Sequence, residues 1–371
     1  MKILVNATAN DSRGPLSLTY SFIEEMNKNP MYFKDKNLKL TILVSKKELC
    51  VYSNDYMKII YCLTPKKSIF HKSWFEYFYL PKLIKKKQYD AYLSLQNLGL
   101  KNSKVKQFVL IHTPLPFADL KFNEIEWKNY IKYKILMKTV LNNQIKRFNG
   151  IIVQTNWMKE SIMNGFNYKG KTKIIRPRVE DIKNKNEELD RSAVGLFDNS
   201  DIKLFCPTNE EYYKNSHRLI QAVSEYNKEA EKKVKLYITL EKKQFSKEEN
   251  IVYLGRVEYN QIFNIYIKMD GLIFPSLTET LGLPLIEAEQ AGIDRLVSDM
   301  PYAKEICKEN AWYFNPRSEE SIIETLRKYV SYKTQSENYN QFDNRVKNEL
   351  INNNNTYIDY IDFITENLVK E

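Results

Sequence analysis

The feature that most constrains the fold is an alternation of short apolar runs with longer helix-like stretches. The first run, Lys2–Ala7, meets a turn-prone stretch at Asn10–Pro15, and helical spacing follows over Leu16–Met26. Similar β-branched or apolar runs recur in the first half at Leu38–Ser45, Asp90–Leu95, Gln107–His112 and Gly150–Thr155. Strands that alternate with helices predict a parallel sheet.

The same alternation restarts after a polar, charged stretch from Asn184 to Ser200. The runs of the second half are Lys203–Pro207, Val234–Leu240, Ile251–Leu254, Gly271–Pro275 and Arg295–Ser298. A chain of 371 residues also exceeds what one hydrophobic core usually serves. We therefore expect two α/β domains, residues 1–180 and 181–354, and a last helix over 355–371 that docks on one of them.

The composition predicts a folded protein of the cytoplasm. Hydrophobic residues make up 43% of the chain and charged residues 28%, as in ordinary globular domains. No run reaches the roughly 18 to 20 uncharged residues of a membrane-spanning helix, and the first apolar run is too short for a secretory signal. The four cysteines lie far apart without zinc-site spacing, which predicts reduced, mostly buried thiols.

Charge is divided unevenly along the chain. Residues 1–178 hold 32 Lys and Arg against 12 Asp and Glu, whereas residues 179–371 hold 25 against 34. A basic half predicts a polyanionic partner, either a nucleic acid or an anionic membrane surface. Neither half shows a zinc-finger spacing, an RNP-like aromatic motif or a helix-turn-helix, which favours the membrane.

One segment of the basic half combines aromatic residues with lysines. Trp74–Lys82 is rich in aromatics, and Lys85–Lys87 follow it. The pattern is typical of a helix at a membrane interface, but also of an ordinary core helix. We favour core packing of the aromatics, with the lysines alone facing lipid headgroups.

The strongest local signal lies in residues 274–288. Glu279 and Glu287 are eight positions apart across a loop that contains Gly282 and a helix start near Pro284. Such a helix start directs backbone N–H groups at one point and binds phosphate, while flanking carboxylates accept hydrogen bonds from sugar or ribose hydroxyls. The competing interpretation is a solvated pair of glutamates that happens to flank a helix.

This segment resembles the E-x7-E region of the retaining family 4 glycosyltransferases. The resemblance continues in order through the second domain at Lys214-Asn215, Val252–Val257, Ala291-Gly292, Val297–Asp299, Glu305 and Asn315-Pro316. It is weaker in the first half, where it rests on Asn6-Ala7-Thr8, Gly14, Trp74–Pro81, Ile111–Pro114 and Ile152–Thr155. The resemblance implies the GT-B fold, an α/β fold of two Rossmann-like domains that face a central cleft, with the C-terminal helix crossing back to the first domain.

The resemblance also implies roles for particular residues. His112 and Glu279 would act at the transferring sugar, His112 beside it and Glu279 on its hydroxyls. The residues implied to bind the rest of the donor are Gly14, Lys214, Arg256, Leu281, Gly282, Leu283 and Glu287. Of these, Lys214 would bind the diphosphate, Glu287 the ribose hydroxyls, and the amides of residues 281–283 a phosphate.

Three of these residues also have ordinary structural interpretations. A lone histidine such as His112 after a strand is often a hydrogen-bonded structural group. Gly14 is equally compatible with a simple turn, and Arg256 with a surface charge. His71 and His217 receive only the structural interpretation.

The implied reaction is a sugar transfer with retention, through an oxocarbenium-like transition state. Lys214, Arg256 and the helix start would stabilise the departing diphosphate, so that no metal or other cofactor is needed. The implied donor is a UDP-, GDP- or dTDP-linked sugar, and the acceptor a lipid-diphosphate-linked glycan of capsule, O-antigen or exopolysaccharide synthesis. The enzyme would work as a peripheral protein on the inner face of the cell membrane. The alternatives are a non-catalytic interaction protein, or a nucleic-acid-binding protein, on a decayed GT-B scaffold.

The sequence departs from the family pattern in two informative places. Thr208 stands where the family commonly has an arginine, six residues before the lysine, so one phosphate cation is missing or supplied elsewhere. Asp294-Arg295 stands where Pro-Val is usual.

Overall fold

The computed structural model describes residues 1–11, 13–184, 187, 201–242, 249–335 and 356–369. The chain divides into two compact units. Unit 1 comprises residues 1–117, 132–178 and 354–371, and unit 2 comprises residues 118–131 and 179–353. Most of the polar stretch 184–200 and the Asn run 352–355 lie outside the described residues.

Segment 118–131, which was predicted to lie in the first domain, belongs to unit 2. The Arg317 guanidinium reaches the Glu124 carboxylate by two hydrogen bonds of 2.7 and 3.0 Å, and it also donates to the Asp119 carbonyl. The Asn129 amide donates to Glu211 at 3.0 Å. These bonds join residues between 82 and 198 positions apart, a kind of contact that apolar periodicity does not reveal.

The described strands form two sheets, one in each unit. Unit 1 contains β1 Lys2–Ala7, β2 Lys39–Val44, β3 Met57–Tyr61, β4 Ala91–Ser94, β5 Lys106–Leu110, β6 Gly150–Val153 and β7 Lys171–Ile174. Unit 2 contains β8 Ile202–Cys206, β9 Val234–Ile238, β10 Ile251–Tyr253, β11 Gly271–Phe274, β12 Asp294–Ser298 and β13 Trp312–Phe314.

The other regular elements of the described residues are helices. The α-helices are α1 Arg13–Lys28, α2 Pro30–Asp35, α3 Thr64–Lys67, α4 Ile69–Trp74, α5 Leu80–Lys87, α6 Trp127–Asn129, α7 Lys138–Gln144, α8 Asn156–Phe166, α9 Ser216–Glu229, α10 Ile262–Tyr266, α11 Leu283–Ala291, α12 Pro301–Cys307, α13 Glu319–Gln335 and α14 Ile358–Val369. Shorter 3₁₀ segments are Lys47–Tyr52, Phe122–Glu124, Ile145–Arg147, Ile182–Asn184, Tyr212–Lys214 and Tyr259–Gln261, and π-helical segments are Phe75–Tyr79 and Tyr130–Met137.

Six strands of each sheet follow the same order, and the sheet of unit 1 has a seventh strand, β7, at one edge. The order is β3-β2-β1-β4-β5-β6-β7 in unit 1 and β10-β9-β8-β11-β12-β13 in unit 2. The pairings are parallel throughout, for example Ile3 with Leu40 and Gly271 with Leu204. In each sheet the strand order reverses once, at β1/β4 and at β8/β11, and such a reversal opens a crevice at the carboxyl ends of the strands where ligands bind.

The C-terminal helix α14 packs on unit 1. Tyr360, Ile361 and Ile364 are fully buried among residues of β1, β2, β4 and α1. The Tyr32 hydroxyl donates to Asp362 at 2.8 Å, which fixes the solvent side of the helix. Helix α14 thus belongs to the core of unit 1, although residues 179–353 of unit 2 lie between it and the rest of unit 1 in the sequence.

The aromatic segment 74–82 is only partly a core helix, contrary to our expectation. Phe75 and Leu80 are buried, but Trp74, Phe78 and Tyr79 are exposed. In the described part of the chain, no helix is long and apolar enough to cross a membrane. All four cysteines are free thiols, with Cys206 and Cys307 buried and Cys50 and Cys62 half-buried.

Candidate active site

The candidate site of unit 2 lies at the strand-order reversal between β8 and β11. Lys214 ends a 3₁₀ segment that follows β8, and Glu279 lies in the loop that follows β11. Because neighbouring parallel strands end at the same edge of a sheet, the two residues meet although 65 positions separate them. The sequence motifs of the second half therefore converge on one crevice.

Asn215 fixes the position of Lys214. Its backbone adopts the left-handed conformation with φ of 60°, which asparagine tolerates better than most residues. Its side-chain amide donates to the carbonyls of Pro275 and Pro316, at 3.3 and 2.6 Å. The lysine is thereby tied to the ends of two other strands before any ligand binds.

Lys214 and Glu279 form a close ion pair. The Lys214 Nζ lies 2.6 Å from Glu279 Oε1, and each side chain is only 16% exposed. At this burial, charge-assisted hydrogen bonds are stronger than between solvated groups. The pair places one cation and one hydrogen-bond acceptor at a single point of the crevice.

Helix α11 begins beside this pair. Gly282 precedes its first residue with φ of 68°, a conformation that favours glycine. Pro284 occupies the first turn, where its missing N–H costs no hydrogen bond. Leu281 is buried, whereas Leu283 is 45% exposed, so the start of the helix is open to solvent on one side. The unpaired N–H groups of a helix start form an anion site.

Glu287 lies one turn into α11 and is buried. The Tyr266 hydroxyl donates to its Oε2 at 2.9 Å. Burial raises the pKa of Glu287 to about 7, against the opposing effect of the Tyr266 hydrogen bond. Two further hydroxyl donors, such as those of a ribose, would stabilise the carboxylate in this position.

This burial makes stability depend on pH. The folded chain keeps a proton on Glu287 between about pH 4.5 and 7, where the unfolded chain releases it, so the free energy of unfolding falls as pH rises through that window. We expect Glu287→Gln to remove this slope and to gain up to about 3 kcal/mol over the parent at pH 8. Urea unfolding from pH 4 to 8 measures both the slope of the free energy of unfolding with pH and the difference between the two proteins at pH 8. Glu225→Gln, an exposed control, should leave the slope unchanged. Parallel curves for parent and Glu287→Gln would contradict the assignment.

Arg256 and Gly14 do not join this constellation in the way expected. Arg256 is 84% exposed and pairs with Glu258 at 3.2 Å, as its surface interpretation predicts. Gly14 lies in the first turn of α1 instead of in a loop, and a Cβ added there would meet nothing within 4 Å. The structure thus shows no local reason for glycine at position 14.

His112 follows β5 in unit 1 and is held by Asn97. The Asn97 Oδ1 accepts the backbone N–H groups of His112 and Thr113, at 2.7 and 3.0 Å. This fixes the amide so that its nitrogen faces His112 Nε2 at 3.3 Å. Burial lowers the pKa of His112 to about 4, so the ring is neutral at neutral pH. With Nε2 accepting, the neutral ring carries its proton on Nδ1.

Sequence reasoning missed two of these supporting residues. Tyr266, the partner of Glu287, gave no signal because it lies in a different helix, 21 positions earlier. Asn97 could have been suspected, since it stands two residues before Gly99 and shortly after the predicted strand run Asp90–Leu95, and the structure gives it the left-handed φ of 68° that turn asparagines tolerate. Thr208 carries no charge, and its backbone bonds reciprocally with the Thr239 hydroxyl. In the described part of the chain, no three His, Cys, Asp or Glu side chains are grouped as metal ligands.

The comparisons with known proteins agree with this fold. Residues 187–349 match the model of the family described as Glycosyl transferases group 1. The O-antigen chain mannosyltransferase RfbU of Salmonella typhimurium is 28% identical over 193 residues, which are 51% of this chain and 53% of that protein. The match therefore spans about half the length of that relative.

Two solved structures show the same fold over the whole chain. A glycosyltransferase from Rickettsia africae aligns with a TM-score of 0.65 at 13% identity. The alignment covers 100% of this chain and 99% of that chain. Alr3699/HepE of Anabaena, solved in complex with UDP and glucose, has a TM-score of 0.62 at 12% identity and covers 100% of both chains. At these identities the likeness concerns the fold alone.

Two parallel sheets of Rossmann topology, with a lysine and a helix start at the strand-order reversal of the second, define the GT-B class of glycosyltransferase folds. The match of residues 187–349 to the model of the Glycosyl transferases group 1 family agrees with this class. The predicted α/β fold class of two Rossmann-like domains and the prediction of a glycosyltransferase are thus confirmed.

Proposed function

We propose that the chain transfers a sugar from a nucleoside diphosphate sugar, with retention, to a lipid-diphosphate-linked glycan in the synthesis of a surface polysaccharide. The observation that carries the proposal is the half-buried Lys214–Glu279 ion pair beside the start of α11. The name of the relative RfbU supports O-antigen synthesis as the setting and mannose as the sugar. The Anabaena structure, which holds UDP and glucose on the same fold, supports a nucleotide-linked donor.

The site residues divide the donor among themselves. Lys214 and the N–H groups at the start of α11 bind the diphosphate. Glu287 accepts hydrogen bonds from the ribose hydroxyls, and Glu279 accepts hydrogen bonds from the hydroxyls of the sugar. As the bond to the sugar breaks, negative charge grows on the departing diphosphate. Preorganised donors stabilise such charge more in the transition state than in the bound donor, which accelerates the reaction.

In the proposed mechanism the leaving diphosphate itself deprotonates the acceptor hydroxyl on the same face of the sugar. A neutral His112 then serves as a hydrogen-bonding group to the sugar and not as an acid, since its pKa of about 4 keeps it uncharged at neutral pH. Lys214 supplies the positive charge, and we propose that the transfer requires no metal ion. We also propose that the enzyme works in the cytoplasm, at the inner face of the membrane.

Calorimetric titration with UDP, GDP and dTDP in the presence of EDTA tests the donor site. We expect one of the three to bind with micromolar affinity, and Glu287→Ala to lower that affinity at least tenfold, because a ribose diol loses its acceptor (a cost of roughly 1.5–3 kcal/mol).

Glu225→Ala is the matched control, because Glu225 is an exposed glutamate of the same unit. It should bind as the parent does. If none of the three nucleotides binds, the donor site is refuted, and a non-catalytic role on a decayed scaffold becomes the better hypothesis.

A further inference from the structure

Unit 1 carries a helical segment with two unlike faces. α4, the π-helical turn Phe75–Tyr79 and α5 follow one another without a break from Ile69 to Lys87. The face formed by Phe75, Leu80 and Ile84 is buried in a cluster with residues of β1, β2 and β4. The sheet therefore holds the segment firmly in place.

The opposite face presents aromatic rings to solvent. Phe70 is 81% exposed, Trp74 52% and Phe78 64%. The three recur every fourth residue, a spacing that places side chains on the same side of a helical segment. Large aromatic side chains at a regular spacing on one exposed face indicate a surface that binds something.

Lysines flank these rings in the sequence. Residues 66–87 contain seven lysines, at positions 66, 67, 72, 82, 85, 86 and 87, and one acidic residue, Glu76. The Glu76 carboxylate is itself engaged by the Gln96 amide at 3.0 Å and lies 3.9 Å from the Lys72 ammonium. Lys82 and Lys86 continue the four-residue spacing of the aromatic rings, and both are exposed. The partner of this face must therefore be apolar at its centre and negatively charged around it.

We propose that this face docks on an anionic lipid bilayer. Phe70, Trp74 and Phe78 enter the headgroup layer, and the lysines contact lipid phosphates. Lysine stems bury along apolar surface while their charges stay in water, so the two residue types act together. The inference rests on the proposed function, because it names the surface of the enzyme that would face the membrane in which a lipid-linked acceptor lies.

Vesicle flotation tests the proposal on the full chain. We expect binding to phosphatidylglycerol vesicles, little binding to phosphatidylcholine vesicles, and weaker binding when NaCl rises from 0.1 to about 0.5 M. Replacing Phe70, Trp74 and Phe78 with alanine together should lower the affinity for phosphatidylglycerol vesicles at least tenfold. Brominated phosphatidylglycerol should quench the tryptophan fluorescence of the parent more than that of Trp74→Phe.

The matched control is Met31→Ala with Val51→Ala, because both residues are exposed apolar side chains on other elements of unit 1. The control should bind vesicles as the parent does. Unchanged nucleotide affinity and melting temperature in the triple variant show that it is folded.

Equal vesicle binding by the triple variant and the parent would overturn the proposal, as would equal binding of the parent to both lipids. If the triple variant instead only changes a dimer into a monomer, the face binds a second copy of the chain. A parent that binds vesicles but no nucleotide would refute the proposed function and leave this inference standing.

Discussion

Lys214→Met should lower the affinity for the nucleoside diphosphate about 100-fold. The variant loses the cation assigned to the diphosphate, and it leaves the Glu279 carboxylate, 16% exposed, without the ammonium that lies 2.6 Å away. Losing a hydrogen bond between a charged donor and the diphosphate costs about 1.5–3 kcal/mol, and the repulsion between the unpaired Glu279 carboxylate and the diphosphate adds to this loss. Calorimetric titration with the nucleotide that the parent binds best measures the change.

Two further variants show whether the positive charge of Lys214 is responsible for the change in nucleotide affinity. Lys328→Met removes a lysine that also pairs with a glutamate, but one that is 63% exposed, and it should bind nucleotide like the parent. Lys214→Met combined with Glu279→Gln should recover part of the loss, because the unpaired carboxylate is gone. Affinity of Lys214→Met within twofold of the parent would remove the lysine from the donor site.

The sheets show which strands a sequence reveals. Our predicted runs include five strands of unit 1 and five of unit 2, while β3, β7 and β13 were missed. All three are at sheet edges. Edge strands bury fewer side chains, so Lys171–Ile174 is exposed or half-buried at each position and carries lysines at alternate positions. The periodicity that identifies a central strand is therefore weak there.

The candidate site was predictable to the extent that topology assembles it. Lys214 and Glu279 each follow a strand of one parallel sheet, so their proximity follows from strand order. The pairing of Glu287 with Tyr266, and that of His112 with Asn97, depends on how helices and loops pack and has no local pattern. The exposed ring of Trp74 was wrongly assigned to the core, because aromatic residues on both faces of a helix leave its buried side undefined.

The departure from the family pattern at residue 295 also has a structural reason. The Arg295 side chain, 7% exposed, bonds to Glu289 Oε2 at 2.7 Å and to the Asn310 carbonyl at 3.0 Å. It also reaches the Leu285 carbonyl at 3.4 Å. Leu285 and Glu289 belong to α11, the helix that starts at the candidate phosphate site. An arginine on β12 thus helps to hold the helix that carries Glu287.

Arg295→Val should consequently destabilise unit 2 by about 3–5 kcal/mol, because it leaves the Glu289 carboxylate in a mostly buried position without its cation. Urea unfolding measures the loss. Arg256→Val, at an arginine that is 84% exposed, should change the free energy of unfolding by less than about 0.5 kcal/mol.

The double variant Arg295→Val with Glu289→Leu tests whether the loss of stability comes from the unpaired carboxylate of Glu289. Replacing a buried ion pair with apolar residues of similar size is often neutral or stabilising, so the double variant should recover most of the stability. A single variant as stable as the parent would show that water reaches Glu289. Recovery in the double variant would show that a valine at position 295 is tolerated when residue 289 carries no charge.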